Sequence, residues 1–170
     1  MTKLYLVRHG ETVDNARNIM QGQMQGELNE VGIAQAQQLA EQLKDTHIDA
    51  FVASDLKRSM DTCRILAAPH RKDIATTPLL RERDWGSFTG RYIPDLRNTE
   101  WPDDVEPLEQ LLKRAQLFLD YIKKTYPNQH VLAVGHGIMN KAIQATHYGK
   151  SMKEVERMTN CEVRELMLTD

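Results

Sequence analysis

Residues 3–12 read Lys3-Leu4-Tyr5-Leu6-Val7-Arg8-His9-Gly10-Glu11-Thr12. A short apolar run that ends abruptly at a charged residue, a histidine and a glycine fits a buried strand running into a loop. The pattern returns near the other end of the chain, in His130-Val131-Leu132-Ala133-Val134-Gly135-His136-Gly137. Near-continuous apolar strands of this kind belong to parallel sheets covered by helices on both faces. The glycines flanking both histidines let the backbone approach a ligand closely.

Between and beyond these two stretches, helical and strand-like patterns alternate. Ile33, Ala36, Leu39, Ala40 and Leu43 recur at helical spacing, which predicts an amphipathic helix over about 30–44. Ala50-Phe51-Val52-Ala53 reads as a short buried strand, and 56–67 as a helix stopped by Pro69. A weak strand is expected near 73–77, before Pro78, and irregular loop over 83–106, which holds Gly86, Gly90, Pro94 and Pro102. Pro107 suits a first helical position, and Leu108, Leu111, Leu112, Ala115, Leu119 and Ile122 give that helix its apolar stripe. Pro127-Asn128 reads as a turn, and a further helix runs from the second histidine to about 147. Ser151 and Glu154 form a capping box for a short helix, and 162–168 is a final strand. The expected fold is α/β: one domain over 1–170, a three-layer α/β/α sandwich with a mostly parallel central sheet.

Composition narrows the partners. The 170 residues carry 22 Lys and Arg against 24 Asp and Glu, a net charge of −2 that supplies no basic face for nucleic acid or a membrane surface. No apolar run approaches the length of a membrane span, and the N-terminal stretch is too short for a signal peptide and has no cleavage site. The two cysteines, Cys63 and Cys161, lie far apart with no metal or disulfide spacing, which points to a reducing cytoplasm.

In parallel α/β sheets, sites lie beyond the C-terminal ends of the strands. Here those ends are Arg8-His9-Gly10, Ser54-Asp55-Leu56-Lys57-Arg58 and Gly135-His136-Gly137. They bring two histidines and two arginines together, a set suited to phosphoryl transfer. Arginine presents a planar fork of donors to phosphate oxygens, and a neutral imidazole can attack phosphorus. The second histidine and the arginines can hold the equatorial oxygens, and helices starting after each loop would add their N-terminal amides. Rival motifs are missing: no zinc-type HExxH or paired CxxC, no GxSxG elbow, and no arginine six residues after either cysteine. Gly149-Lys150-Ser151 matches the end of a P-loop, but position 144 is Gln and a helix, not a strand, precedes it. His47, His70, His130 and His147 read as surface or packing residues, and Glu11 as structural support for its loop.

Arg8-His9-Gly10-Glu11-Thr12 with Asn15 resembles the signature of the histidine phosphatase superfamily, the phosphoglycerate mutase-like group. The resemblance continues through Gln21-Gly22, Leu28-Asn29-Glu30, Ser54-x-Leu56-x-Arg58 with Thr62, Leu80-x-Glu82, Gly86, Gly90, Gly135-His136-Gly137 and Asn160-Cys161. It implies that His9 is the phosphorylated nucleophile and that Arg8, Arg58 and His136 form the phosphate pocket. Glu82 would protonate the leaving oxygen and then activate water. Asn15, Gln21, Gly22 and Gly137 would contact phosphate or substrate. Arg83 reads either as a cation for a second anionic group or as a solvated surface arginine. No metal or organic cofactor is implied, and the expected partner is a small phosphorylated metabolite.

The family contains phosphatases and mutases. Only 16 residues, 91–106, separate Gly90 from the expected helix start, where mutases carry a longer insertion. The arginine pair that mutases use for a substrate carboxylate has no clear match. A short rim favours hydrolysis, since a mutase must shield its phosphoenzyme from water. The alternatives are a phosphoglycerate mutase, a phosphoprotein phosphatase, and a catalytically silent phosphate-binding domain. The sequence names neither the substrate nor the oligomeric state.

Overall fold

A computed structural model describes residues 1–169. Five strands form one sheet: β1 (Thr2–Arg8), β2 (Ala50–Ala53), β3 (Ile74–Thr76), β4 (His130–Gly135) and β5 (Val163–Leu168). Their spatial order is β3-β2-β4-β1-β5, parallel throughout except for β5, which runs antiparallel to β1. The helices are α1 (Val13–Ala16), α2 (Glu30–Leu43), α3 (Lys57–Ala67), α4 (Leu108–Thr125) and α5 (Gly137–Tyr148).

The period-two alternation of side chains along each strand sorts the core into two halves. Leu4, Leu6, Val52, Val131 and Ala133 face one way and pack on Leu111, Phe118 and Ile122 of α4 and Met139 and Ile143 of α5. Tyr5, Val7, Phe51, Ala53, Leu132 and Val134 face the other way, onto Leu39 and Ala40 of α2 and Cys63 and Leu66 of α3. This is the expected three-layer sandwich. Strands β1, β2 and β4 are buried on both faces, which is why their sequences are apolar at consecutive positions.

Several local expectations are refined. Pro107 is the N-cap of α4 rather than its first helical residue. The Ser151–Glu154 capping box is present, but it starts a single 3-10 turn, Met152–Glu154. The 83–106 segment lacks long elements yet is ordered: Trp85, Phe88, Leu96 and Val105 form a small core of their own, with Met20 and Ile138 packed against it. A bridge between Ile19 and Tyr92 ties this rim to the loop after α1.

Candidate active site

Register sets the centre of the site. Arg8 of β1 pairs with Gly135 of β4, so the residues that follow, His9 and His136, emerge side by side. Their ring centroids are 5.2 Å apart in an edge-to-face arrangement. Arg58, from the first turn of α3 after β2, completes the cluster and is 1% exposed.

His9 Nδ1 lies 2.7 Å from the carbonyl oxygen of Gly10. A carbonyl can only accept, so Nδ1 carries the proton and Nε2 holds the free lone pair. Burial and the nearby Arg58 guanidinium hold His9 well below the usual histidine range, so the ring is neutral near pH 7. The loop is fixed around it: Gly10 N–H donates to Thr62 Oγ1 (3.1 Å) and Asn160 Nδ2 donates to the His9 carbonyl (3.0 Å).

His136 is also held neutral by burial. The hydroxyls of Ser54 (2.7 Å) and Ser59 (3.0 Å) converge on its Nε2. An unprotonated Nε2 can accept from both, and in that tautomer the proton is on Nδ1. That atom has no partner among the described residues, and neither have Arg8 Nε and Arg58 Nε. Three unpartnered buried nitrogens in one cluster can donate together to an anion.

Arg8 donates through Nη1 to the Met158 carbonyl at 2.8 Å. Arg58 is bound to the 22–25 loop, donating to the carbonyls of Gly22 (2.7 Å) and Met24. Burial lowers its guanidinium to about 10, which leaves it charged at neutral pH. Gly26 permits this packing: its φ is +72°, and a Cβ there would lie 2.8 Å from Arg58 Cδ. Asn15 Oδ1 accepts from Thr12 N (3.1 Å) and Gln21 Oε1 accepts from Thr12 Oγ1 (3.0 Å), so both side chains keep their NH2 groups free as donors.

Glu82 closes the far side. Its Oε1 accepts from the amides of Arg83 (2.8 Å) and Met139 (2.9 Å), and its Oε2 accepts from the amide of Ile138 (3.1 Å). The carboxylate therefore caps α5, whose N-cap residue His136 supplies no side-chain cap of its own. The Gly137 amide, one residue earlier, has no partner among the described residues. The 3-10 turn and loop that carry Glu82 are held by Arg114 of α4, which donates to the carbonyls of Leu79 (3.1 Å), Arg81 (2.6 Å) and Glu82 (3.3 Å).

These groups surround a cavity of about 150 Å³, which includes Arg8, His9, Asn15, Gln21, Gly22, Arg58, Glu82 and Gly137 in its wall. Most of the residues expected from the sequence are thus brought together, with His136 buried directly behind His9. Arg83 is not. Its Nε donates to the Glu106 carbonyl (2.9 Å), and its guanidinium lies 5.0 and 5.1 Å from the ring centroids of Trp85 and Trp101, which meet each other edge to face. The expected cation for a second anionic group therefore lies against a pair of indoles, where cation–π attraction and a backbone carbonyl hold it.

A second correction concerns the helix ends. Among the described residues, α5 offers a free N-terminal amide to the cavity, that of Gly137, and α3 does not. The first amides of α3 are taken by Gln25, whose Oε1 accepts from Lys57 N (2.9 Å) and whose carbonyl accepts from Arg58 N (3.2 Å).

The sequence reading missed Arg157, an exposed residue at the cavity mouth, and also Ser59, Glu106 and Arg114. None stands in a motif. Arg157 and Arg114 look like any of the chain's 22 basic residues, and only packing shows where they point. The other histidines are as expected: His47 pairs with Asp49 at 3.0 Å, and His70 Nε2 lies 3.0 Å from the Leu43 carbonyl. Glu11 braces its loop by accepting from Asn29 Nδ2 at 2.8 Å. Burial pushes both cysteine thiols up to about 12, so neither supplies a thiolate.

A doubly covered parallel sheet whose strand ends converge on a neutral imidazole, guanidinium donors and one carboxylate defines an enzyme centre for phosphate esters. The chain belongs to the histidine phosphatase superfamily, branch 1, whose sequence model matches residues 4–170. A probable phosphoglycerate mutase, GpmB, of Proteus mirabilis is 34% identical over 179 residues, covering 96% of this chain and 83% of that protein. A metal-independent phosphoserine phosphatase of Arabidopsis thaliana is 35% identical over 172 residues, covering 88% and 72%. A mutant phosphoserine phosphatase of Entamoeba histolytica, solved with phosphoserine, superposes with a TM-score of 0.86 at 25% identity, covering 98% and 91%. With this family and these relatives, the chain is an enzyme of the phosphatase type.

Proposed function

We propose that the chain, acting as one domain over 1–170, is a metal-independent phosphomonoesterase that works through phosphohistidine at His9 on a small phosphorylated metabolite. The observation that carries this reading is the His9 tautomer: Nδ1–H is committed to the Gly10 carbonyl, so Nε2 presents its lone pair to a cavity lined by Arg8 and Arg58.

Nε2 attacks phosphorus as the ester P–O bond breaks. Arg8 Nε, Arg58 Nε, His136 Nδ1 and the Gly137 amide, all without partners among the described residues, serve the phosphoryl oxygens, where charge resides during transfer. Asn15 and Gln21 add their NH2 groups. Glu82 gives a proton to the departing alkoxide. Water then attacks phosphohistidine and yields its proton to the same carboxylate, and inorganic phosphate leaves with His9 neutral again. The cavity is small beside the roughly 300–1,000 Å³ of drug-sized ligand sites, which suits a small ester. The Arabidopsis relative, a metal-independent phosphoserine phosphatase, supports this reading.

The test is rapid quench with a 32P-labelled ester in the presence of EDTA. The expected outcome is an acid-labile, base-stable phosphoprotein that is absent in His9→Ala, with continuing phosphate release. Label on another residue type, or activity lost to EDTA and restored by Mg²⁺, overturns the reading. With 3-phosphoglycerate and its bisphosphate primer, the product should be inorganic phosphate. Isomerisation without phosphate release makes the chain a mutase, as the name of the Proteus relative would have it.

A further inference from the structure

On the proposed mechanism the two histidines present opposite edges of the imidazole ring to the phosphoryl group. His9 Nδ1–H is committed to the Gly10 carbonyl, so the lone pair at Nε2 is free. His136 has to do the reverse, because a lone pair aimed at a phosphoryl oxygen repels it, whereas an N–H donates to it. The ring alone does not make this choice: a neutral imidazole carries its single proton on either nitrogen. The backbone amide of His136 donates to Asn140 Oδ1 at 3.2 Å, which fixes the residue but not its tautomer.

Two serines reach the far edge of that ring. Ser54 follows β2, and its amide donates to the Val134 carbonyl at 3.2 Å, which sets it beside the end of β4. Ser59 stands in the first turn of α3, directly after Arg58. Both are fully buried, and their hydroxyl oxygens lie 2.7 and 3.0 Å from His136 Nε2. Ser54 Oγ also accepts the Leu56 amide at 3.4 Å. Among the described residues neither hydroxyl has an acceptor in reach other than Nε2. A single hydroxyl could not choose the tautomer, since it can donate to Nε2 or accept from it. Two hydroxyls can. With the proton on Nε2, one serine oxygen accepts it and both serine protons are left buried without partners. With the proton on Nδ1, both serine protons converge on the Nε2 lone pair, and the one unpartnered donor is Nδ1–H, which an anion can take. Orphaned buried donors are costly, so the arrangement with fewer of them is favoured.

We propose that Ser54 and Ser59 are positioning residues for phosphoryl transfer: together their hydroxyls hold His136 in the tautomer whose Nδ1–H is directed at the phosphoryl group. The inference rests on the phosphatase reading, because it gives that N–H an ester phosphate to serve. Neither serine stands in the cavity wall, so both act through His136 and not on the substrate. Consecutive residues of α3 then carry two tasks, Arg58 supplying charge and Ser59 fixing the proton of the neighbouring ring.

Nitrogen-15 NMR of the histidine rings reads the tautomer directly, because protonated and unprotonated ring nitrogens resonate far apart, and His136→Asn assigns the signals. In the wild-type protein His136 should show Nδ1 protonated and Nε2 unprotonated, with or without inorganic phosphate. In Ser59→Ala, and in Ser54→Ala/Ser59→Ala, the Nε2–H form should become populated in the free protein. The kcat/KM should then fall roughly two- to tenfold, in step with the fraction of the Nδ1–H form that is lost. The fall should be the same for alkyl and nitrophenyl phosphates, because His136 serves the phosphoryl group and not the leaving oxygen. Ser59→Thr keeps the hydroxyl and should keep the tautomer. A wild-type ring protonated at Nε2, an unchanged tautomer in both alanine variants, or a changed tautomer with undiminished kcat/KM overturns the inference. The first of these is decided without any variant of the serines. Titration with inorganic phosphate in the same spectra separates the two readings. A chain that hydrolyses no ester, but binds phosphate more weakly as the Nδ1–H form is lost, refutes the phosphatase reading alone.

Discussion

Oε1 of Glu82 already accepts two backbone N–H groups, from Arg83 and Met139, whereas Oε2 accepts one, from Ile138. Each carboxylate oxygen offers about two lone-pair sites, so Oε2 is the oxygen with room for a proton. Its importance should scale with how badly the leaving group needs that proton. Glu82→Gln keeps the shape and removes the acid, so hydrolysis of alkyl phosphates should fall by roughly 10²–10⁴. On the proposed mechanism nitrophenolate leaves unaided, but water attack on phosphohistidine still needs the carboxylate. Stopped-flow kinetics with nitrophenyl phosphate should therefore show a burst of nitrophenolate and then slow turnover. Equal losses on both ester types with no burst would show that Glu82 only caps α5. At this scale the residue types were legible in the sequence and their orientations were not: Arg8, His9, Arg58 and Glu82 reach the cavity, but Arg83, next to Glu82 in the chain, turns toward Trp85, Trp101 and Glu106.

Helix α4 contributes to the site from a distance. Its Arg114 pairs with Glu106 at 2.7 Å, with the two side chains 16% and 3% exposed, and the same guanidinium holds the carbonyls that lead to Glu82. Glu106 in turn accepts from Asp84 N at 3.0 Å. Arg114→Met leaves the buried Glu106 carboxylate without its cation, a change that typically costs about 3–5 kcal/mol. For a chain of this size each kcal/mol shifts Tm by roughly 2–4 °C, which calorimetry resolves easily. Adding Glu106→Gln to Arg114→Met should recover part of the loss by removing the stranded charge. Activity on alkyl phosphates should fall more than the nitrophenolate burst, since Glu82 is the group displaced. A stable Arg114→Met protein with normal kinetics would contradict this account. Helix α4 itself was legible from its apolar stripe. Its grip on the Glu82 loop joins residues 79–82 to residue 114, a separation that periodicity does not sense.

Across the whole molecule, the neutral histidines make stability depend on pH. The unfolded chain binds a proton at each histidine as pH falls through about 6.5. In the folded protein His9 and His136 resist protonation until well below that, because burial disfavours the charged ring. The unfolded state thus holds more protons in this window, and ∂ΔG/∂pH is positive there. Their contribution is fully present above pH 6.5 and is lost as pH falls below it, at up to about 1.4 kcal/mol per pH unit for each histidine. Urea midpoints should decline steadily from pH 7 to pH 5, and His9→Asn should flatten the decline. A wild-type profile flat across that interval would mean that the rings protonate freely in the folded state.

The sequence by itself determined the layers and the chemistry. Apolar strands such as Val131–Val134, the helical stripes and the two glycine-flanked histidines are local patterns, and local patterns follow from backbone geometry and burial alone. Tertiary structure decided which groups meet. The pairing of Arg8 with Gly135 sets His9 beside His136, and the α5 amides capture Glu82. The indoles of Trp85 and Trp101 draw in the Arg83 guanidinium, while Val155 and Met158 anchor the segment that holds Arg157 near Gly137. Each of these depends on the direction of a side chain, and that direction is fixed by contacts with residues remote in the chain, which no run of neighbouring letters encodes.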